Sequence, residues 1–292
     1  MSTRTRLGVV ILPQQRWSQS RALWQRAEEY GFDHAWTYDH LAWRSLADEP
    51  WFATVPLLAA AAAVTERIGL GTWVASPNFR HPVPFAKDVM GLDDISGGRF
   101  LLGLGAGGTG VDASVLGEAP TRGERTRRFE EFVPLLDALL SQPVTEHQGE
   151  FYTAHQARMI PGTLARPRTP FVVAANGPRA MAVAARYGQG WATFGPAFAA
   201  GEGDQEAWWA GLAELVEQFR EVAEPIGPVP PMYLSLDGAP RYSLESPELL
   251  VEGVQRAAEL GFSDVVVHWP REHGIYAGSE DVMAEALSRL GR

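Results

Sequence analysis

Along this chain, short β-branched or aromatic runs alternate with longer stretches whose apolar residues recur at helical spacing. Leu7–Leu12 is the first apolar run and is closed by Pro13, so it reads as a strand. Ser20–Tyr30 follows, with Leu23, Ala27 and Tyr30 on one face, and stops at Gly31 as a helix C-terminus should. His34–Tyr38 is the second strand, and a helix within Thr54–Thr65 leads to the third, Ile68–Ser76. Pro82 and Pro84 open a helix that runs to Ile95, and Phe100–Gly105 is the fourth strand. Thr126–Leu140 is the fourth helix, and Val144–Met159 has strand character around the turn Gln148-Gly149. Four more strands are expected at Phe171–Ala175, Trp191–Phe194, Met232–Leu236 and Asp264–Trp269. Their helices are Pro178–Tyr187, Gln205–Ala223, Pro247–Leu260 and Glu280–Leu290.

Eight strands, each trailed by a helix, make the count of a (β/α)8 TIM barrel, with a hairpin excursion after helix 4. A doubly wound sheet would usually split into two lobes at 292 residues, and no Pro/Ser-rich linker marks a boundary. Residues 1–292 are therefore expected to form a single TIM-barrel domain.

Composition narrows the class. The apolar fraction of 46% suffices for a large core, and a net charge of −10 without a basic stripe argues against nucleic acid or an anionic membrane as partner. Cysteine is absent, so there is neither a disulfide framework nor a thiolate metal site. The apolar run at the N-terminus stops at Pro13, too short for a signal peptide, and a cytoplasmic protein is expected. Trp51–Thr65 carries no charge on any face until Thr65, whereas an outer barrel helix facing water should show a polar stripe. Burial of that helix against a second copy predicts a homodimer; the alternative is that the loop 44–50 folds over it.

In a TIM barrel the chemistry sits at the C-terminal ends of the strands. Here those ends are Pro13, Asp39-His40, Ser76-Pro77, Gly105–Gly108, Ala175-Asn176-Gly177, Gly195-Pro196, Asp237-Gly238 and His268-Trp269. No metal-ligand set emerges, because His40 and His268 lack a third ligand at suitable spacing. Gly103–Gly108 matches the Gly-x-Gly-x-x-Gly pattern, but two more glycines and a proline follow where the phosphate-binding helix should begin. Gly105, Ala106 and Gly107 are read instead as letting a flat ring or its tail approach the backbone. At Ala175-Asn176-Gly177, Pro178 occupies the first helical position, so the preceding segment is either an anion site or an ordinary loop with a helix-starting proline.

Four motifs, taken in order, carry a resemblance. Tyr38-Asp39-His40-Leu41, Gly71–Pro77, Gly97–Gly105 and Ala174–Pro178 together resemble the bacterial luciferase-like superfamily over nearly the whole chain. The Asp-His pair is similar to the branch that uses the deazaflavin coenzyme F420, such as the F420-dependent glucose-6-phosphate dehydrogenases and their reductase relatives. The resemblance implies that His40 faces the reactive ring edge, that Asp39 helps hold the ring, and that Trp73-Val74 is a non-proline cis peptide against its back face. It also implies that Asn176-Gly177 binds the cofactor phosphate. Two positions depart from the sugar-phosphate dehydrogenases. Gly108 stands where they carry a glutamate, and Trp43 follows His40 by three residues where their active-site tryptophan follows by four.

The resulting expectation is an F420-dependent oxidoreductase that moves a hydride between the deazaflavin and a small organic substrate. His40 would supply or accept the matching proton. Trp43, Phe79, Trp191, Phe194 and Trp269, with His268, would line the substrate pocket. One alternative is an FMN-dependent monooxygenase of the same superfamily, which uses O2 and reduced flavin from a separate flavin reductase. Another is a non-catalytic flavin-binding barrel, in which bulky side chains at Trp43, Phe79 and Trp269 fill the cavity.

Overall fold

The side chains of the parallel strands divide by parity, and that division decides which of them can reach a site. In the computed structural model, which describes residues 4–117, 119–197 and 203–292, β1 (Arg6–Val10), β2 (His34–Thr37), β3 (Gly69–Thr72) and β4 (Phe100–Gly105) form one half of the barrel. β5 (Val144–Gln148) and β6 (Thr153–Arg158) form a separate antiparallel pair, the expected hairpin. β7 (Phe171–Ala174), β8 (Gly190–Thr193), β9 (Met232–Ser235) and β10 (Asp264–His268) complete the other half. Among the described residues, eight parallel strands close in the order β1-β10-β9-β8-β7-β4-β3-β2, a (β/α)8 TIM barrel.

The helices are α1 (Trp17–Glu29), α2 (Thr54–Ala62), α3 (Pro82–Ile95), α4 (Val111–Ser114), α5 (Arg122–Ser141), α6 (Pro178–Tyr187), α7 (Gln205–Ala223), α8 (Pro247–Glu259) and α9 (Glu280–Arg289). α1 starts three residues earlier than expected, at Trp17, and two others differ more. α5 starts at Arg122 because Thr121 caps it, accepting the Glu124 amide at 3.2 Å. α4 is a short helix where the pattern gave only a glycine-rich loop. Among the described residues, no helix is long and apolar enough to cross a membrane.

Leu7, Val9 and Ile11 face the helices, while Val10, Trp36, Tyr38, Trp73, Val172, Ala192, Tyr233 and Val266 fill the barrel interior. Each buried aliphatic or aromatic side chain in these layers contributes roughly 1.5–3 kcal/mol. Large interior rings need small neighbours. A Cβ on Gly8 would collide with the His34 ring, one on Gly71 with the Trp36 ring, and one on Gly190 would come within 2.6 Å of Tyr233.

The expected third strand, Ile68–Ser76, is interrupted. Ladder pairing stops at Thr72, the Trp73–Val74 peptide is cis, and pairing resumes only as a bridge from Ala75 to Leu104. Gly103 lacks the Cβ that would collide with the Thr72 carbonyl, and on Gly105 a Cβ would lie 2.7 Å from Val74. Gly107 has φ +81°, and its Cβ would lie 2.6 Å from the Asn78 amide. The glycines of β4 and its loop thus make room for the displaced β3 segment. This corrects the reading of Gly105 and Gly107 as space for a ring; open space lies instead at Gly108 and Gly110, where a Cβ would meet nothing within 4 Å.

Candidate active site

β2 ends at Thr37 and delivers Tyr38, Asp39 and His40 to the C-terminal face of the barrel. The chain there is held by its own continuation: the Trp51 indole donates to the His40 carbonyl at 2.8 Å, and the Thr54 hydroxyl to the Tyr38 carbonyl at 2.8 Å.

His40 is paired. Its Nδ1 meets the carboxylate of Asp112 on α4, and that carboxylate also accepts the Leu41 amide at 2.6 Å. An ionised carboxylate only accepts, so Nδ1 carries the proton that it donates, and in the neutral imidazole the lone pair lies on Nε2. Nε2 has no partner among the described residues. The His40 side chain is 23% exposed and that of Asp112 is 5% exposed, so the pair is rooted in the protein and opens at one nitrogen. Asp112 is the candidate site residue that sequence reasoning missed. The available signal was an acid in the first turn of a short helix after Gly110, with nothing local to say which histidine it meets.

Asp39 lies at the expected strand end but is paired with an arginine. Arg80 grips both its oxygens at 2.6 Å, and the Asp39 side chain is 2% exposed. Arg80 is itself packed over the Phe85 ring and lies 3.6 Å from Asp88. The carboxylate expected to hold a ring is therefore spent on anchoring Arg80, and any part it has in ligand binding is indirect.

Around His40, Tyr38 packs edge-on at 5.7 Å and is tilted against Trp43 at 5.2 Å. Trp43 and Val74 are both partly buried against the interior cluster that contains Trp73. Phe79 is partly buried past the end of β3 with the Arg80 guanidinium 5.1 Å from its ring, and Phe194 is 48% exposed on the rim after β8.

Trp191 and Trp269 do not belong to the pocket. Ala192 faces the interior, so its neighbour Trp191 faces outward, stacks on Phe219 of α7 at 4.1 Å and donates to the Ala175 carbonyl. Trp269 follows the inward His268 and packs between Tyr30 and Arg26 of the α1 region. Strand parity, applied residue by residue, would have excluded both.

His268 stays at the mouth, fully buried. Its Nδ1 lies 2.9 Å from Asp237, its Nε2 lies 2.8 Å from the Tyr38 hydroxyl, and its ring stacks on Tyr276 at 3.7 Å.

The Ala175-Asn176-Gly177 segment precedes α6, with Gly177 as its N-cap and Pro178 at the first position. The Asn176 side chain is occupied, donating to the Gly195 carbonyl and accepting from Thr193, each at 2.7 Å. Among the described residues, the backbone amides of Asn176 and Gly177 have no partner, and a Cβ on Gly177 would meet nothing within 4 Å. Ala175 itself is buried and donates its amide to Ala192.

A closed parallel barrel whose paired histidine, aromatic wall and free loop amides gather beyond the strand C-termini defines the TIM-barrel class of site. The chain belongs to the luciferase-like monooxygenase family, whose model matches residues 1–236. It is 38% identical over 168 residues to an F420-dependent glucose-6-phosphate dehydrogenase of Beutenbergia cavernae, covering 56% of this chain and 48% of the relative. It is 33% identical over 177 residues to a 4-hydroxyprotoasukamycin monooxygenase of Streptomyces nodosus subsp. asukaensis, covering 58% and 44%. The chain spans about half the length of the curated relatives it matches. The coenzyme F420-dependent tetrahydromethanopterin reductase of Methanopyrus kandleri shares the fold, with a TM-score of 0.74, 18% identity and coverage of 98% and 97%.

Proposed function

We propose that this protein is an oxidoreductase that transfers a hydride between the deazaflavin coenzyme F420 and a small organic substrate. The observation that carries the reading is the His40–Asp112 pair, with its unpartnered Nε2 placed past β2 on the same barrel face as the cis Trp73–Val74 segment. The residues fit a flat ring with an anionic tail. Trp73 and Val74 supply an apolar shelf, and the free amides of Asn176 and Gly177 at the start of α6 suit a phosphate. Of the rim cations, Arg80 is spent on Asp39 and Arg179 on Glu130, and Arg122 makes no ion pair among the described residues, which suits a tail left in solvent. When bound, the deazaflavin supplies a ring carbon at position 5 that exchanges hydride, where FMN has a nitrogen that permits reaction with O2.

The chain's own work is proton handling and enclosure. Nε2 of neutral His40 takes the proton that a substrate hydroxyl sheds as its carbon is oxidised, and Asp112 stabilises the resulting imidazolium. In the reverse direction the same nitrogen returns it. Trp43 and Phe79 wall the substrate. A barrel plugged by Trp43, Phe79 and Trp269 loses one of its three plugs, because Trp269 lies outside. Similarity to an F420-dependent glucose-6-phosphate dehydrogenase supports this reading, and similarity to a monooxygenase supports the FMN alternative.

Titration of tryptophan fluorescence tests it. Micromolar or tighter binding of F420, with distinctly weaker binding of FMN, is the expected result. Tighter FMN binding, with O2 consumed on adding the reduced form, would replace this reading with the monooxygenase.

A homodimer and a cytoplasmic, single-domain enzyme complete the proposal. The dimer is supported by the groove between α1 and α2, where Trp17, Phe52 and Pro56 are exposed. The loop 44–50 does not cover it: the groove is walled by residues 15–17 and by Phe52, Pro56, Leu57 and Ala60. Light scattering at micromolar concentration is expected to give twice the chain mass, and a monomer would remove the dimer.

A further inference from the structure

Arg44 is a charge without a partner, set on a wall of the proposed site. It opens a single 3₁₀ turn, Arg44–Leu46, in the loop after β2. Its side chain is exposed and makes no hydrogen bond or ion pair among the described residues. Neither acid of the loop pairs with it: Asp48 is exposed, and Glu49 is taken by Arg271. The guanidinium lies instead over the Trp43 ring, 5.0 Å from its centroid. A cation held on an aromatic face keeps N–H groups free for an acceptor.

The loop that presents Arg44 is fixed in place. Arg44 has φ +41° and is one of three non-glycine residues in the left-handed region among the described residues. Such a conformation persists only where its surroundings over-determine it, and here they do. Leu46 is buried, and its amide donates to the Trp43 carbonyl at 2.8 Å. Glu49 accepts from Gln14 at 2.5 Å and from Arg271 at 2.6 Å, which ties together the loops after β1, β2 and β10. The Phe52 amide donates to the Pro13 carbonyl at 2.7 Å.

A second donor faces the same corner. Tyr276, in the loop after β10, is partly exposed, and its hydroxyl lies 3.3 Å from that of Tyr38, long for a bond between hydroxyls. Tyr38 already meets His268 Nε2 at 2.8 Å, so the Tyr276 O–H is loosely held and free to turn to a better acceptor. Burial pushes Tyr276 up to about 12, against the nearby charge of Arg44, so the phenol keeps its proton at neutral pH. Asp237 is the anion on this side, but it is wholly buried and its carboxylate is filled by donors from Ser243 and His268.

The strand order says what the corner faces. β2 and β10 flank β1, and β7 stands four strands from β1 either way round the barrel. The free amides of Asn176 and Gly177 after β7, which suit the coenzyme phosphate, therefore lie across the mouth from Arg44. Tyr38 joins the corner to the acid–base group, since it packs edge-on to His40 at 5.7 Å and against Trp43 at 5.2 Å.

We propose that Arg44, stacked on Trp43 and assisted by the Tyr276 hydroxyl, binds a carboxylate of the substrate. The protein then acts on small organic acids that carry the hydroxyl or carbonyl exchanging hydride. The assignment rests on the oxidoreductase reading above. A guanidinium fork matches the two oxygens of a carboxylate. One uncommitted cation beside one neutral donor suits a monoanion, whereas a phosphate dianion would call for a second cation. The anionic tail of the coenzyme is the other source of such a group, and the test separates the two.

Calorimetric titration with benzoate and its neutral counterpart benzamide, on the protein with and without F420, makes that test. Benzoate is expected to bind the wild type at least about tenfold more tightly than benzamide. Arg44→Gln is expected to lose that preference, and Arg44→Lys to keep part of it, because the charge remains without the fork. Arg21→Gln, an exposed arginine on α1, is expected to leave it intact. F420 affinity, read by tryptophan fluorescence, and the unfolding midpoint are expected to stay unchanged in Arg44→Gln. Equal binding of the two probes by the wild type, or an unchanged preference in Arg44→Gln, overturns the proposal. A comparable fall in F420 affinity in Arg44→Gln also overturns it, by giving Arg44 to the coenzyme tail. Failure of the wild type to bind F420 overturns the oxidoreductase reading instead, and the probe titration without coenzyme still reports on the carboxylate site.

Discussion

The two ends of the barrel each pair a histidine with an aspartate, and the difference between them separates support from chemistry. At the N-terminal end, His34 Nε2 donates to Asp264 at 2.8 Å and Nδ1 accepts from Trp36 at 2.6 Å, so both ring nitrogens are consumed. Asp264 also takes Arg6 at 2.9 Å and Ser263 at 2.7 Å. At the C-terminal end, His40 gives one nitrogen to Asp112 and keeps the other free. The residue types are the same. A free nitrogen at an exposed edge is what makes the second pair a candidate acid–base group, whereas full occupancy makes the first a plug.

The largest effect is expected at the plug. Asp264→Ala leaves His34 and Arg6 without their shared acceptor and is expected to cost about 3 kcal/mol in denaturant unfolding, the scale for breaking a buried pair. The pH dependence follows from the same group. Burial alone would raise the Asp264 carboxyl, but hydrogen bonds from His34, Ser263 and Arg6 outweigh it and hold the value below the ordinary one. A depressed carboxyl contributes stability that is complete above its unfolded value and lost as pH falls through the folded one. The wild type should therefore lose stability below about pH 4, and Asp264→Asn should flatten that slope. An unchanged acid slope in the variant would show that the plug carries none of it.

His40→Ala is expected to leave unfolding and cofactor affinity nearly untouched while lowering turnover about 10²-fold or more. Equal kcat over the whole pH range would put His40 in the same class as His34. A smaller effect sharpens the contrast further. In Asp112→Asn the side chain still accepts from Leu41, but its amide can donate to Nδ1 and turn the imidazole to the wrong tautomer. Turnover should fall about tenfold with KM and the unfolding midpoint retained. Loss of folding in this variant would mean that α4 is held by the carboxylate, and that the pair is structural after all.

Much of the scaffold was legible because its signals are local. The boundaries of α3, β4, α6 and α7 match the pattern reading residue for residue, since Pro82 and Pro178 start helices and the apolar periodicity runs unbroken between. Tyr38, Asp39 and His40 fall at a strand end because a β-branched and aromatic run stops there. The interruption of β3 at Trp73–Val74 followed from a resemblance, not from periodicity.

What the tertiary structure decided is who faces whom. Asp112 lies 72 residues from His40, and His268 lies 230 from Tyr38, and no periodic pattern encodes such pairings. The capture of Asp39 by Arg80 crosses 41 residues in the same way. Trp191 and Trp269 look like pocket aromatics in sequence because composition ignores the side of the sheet; their neighbours Ala192 and His268 face inward, which turns both indoles toward the helices. The glycines of β4 look like room for a ligand, yet Thr72, Val74 and Asn78 of the adjacent segment already occupy that room. Local spacing determines which elements form and where they stop. Closure of the barrel then brings distant side chains together, and only that closure determines which histidine keeps a free nitrogen.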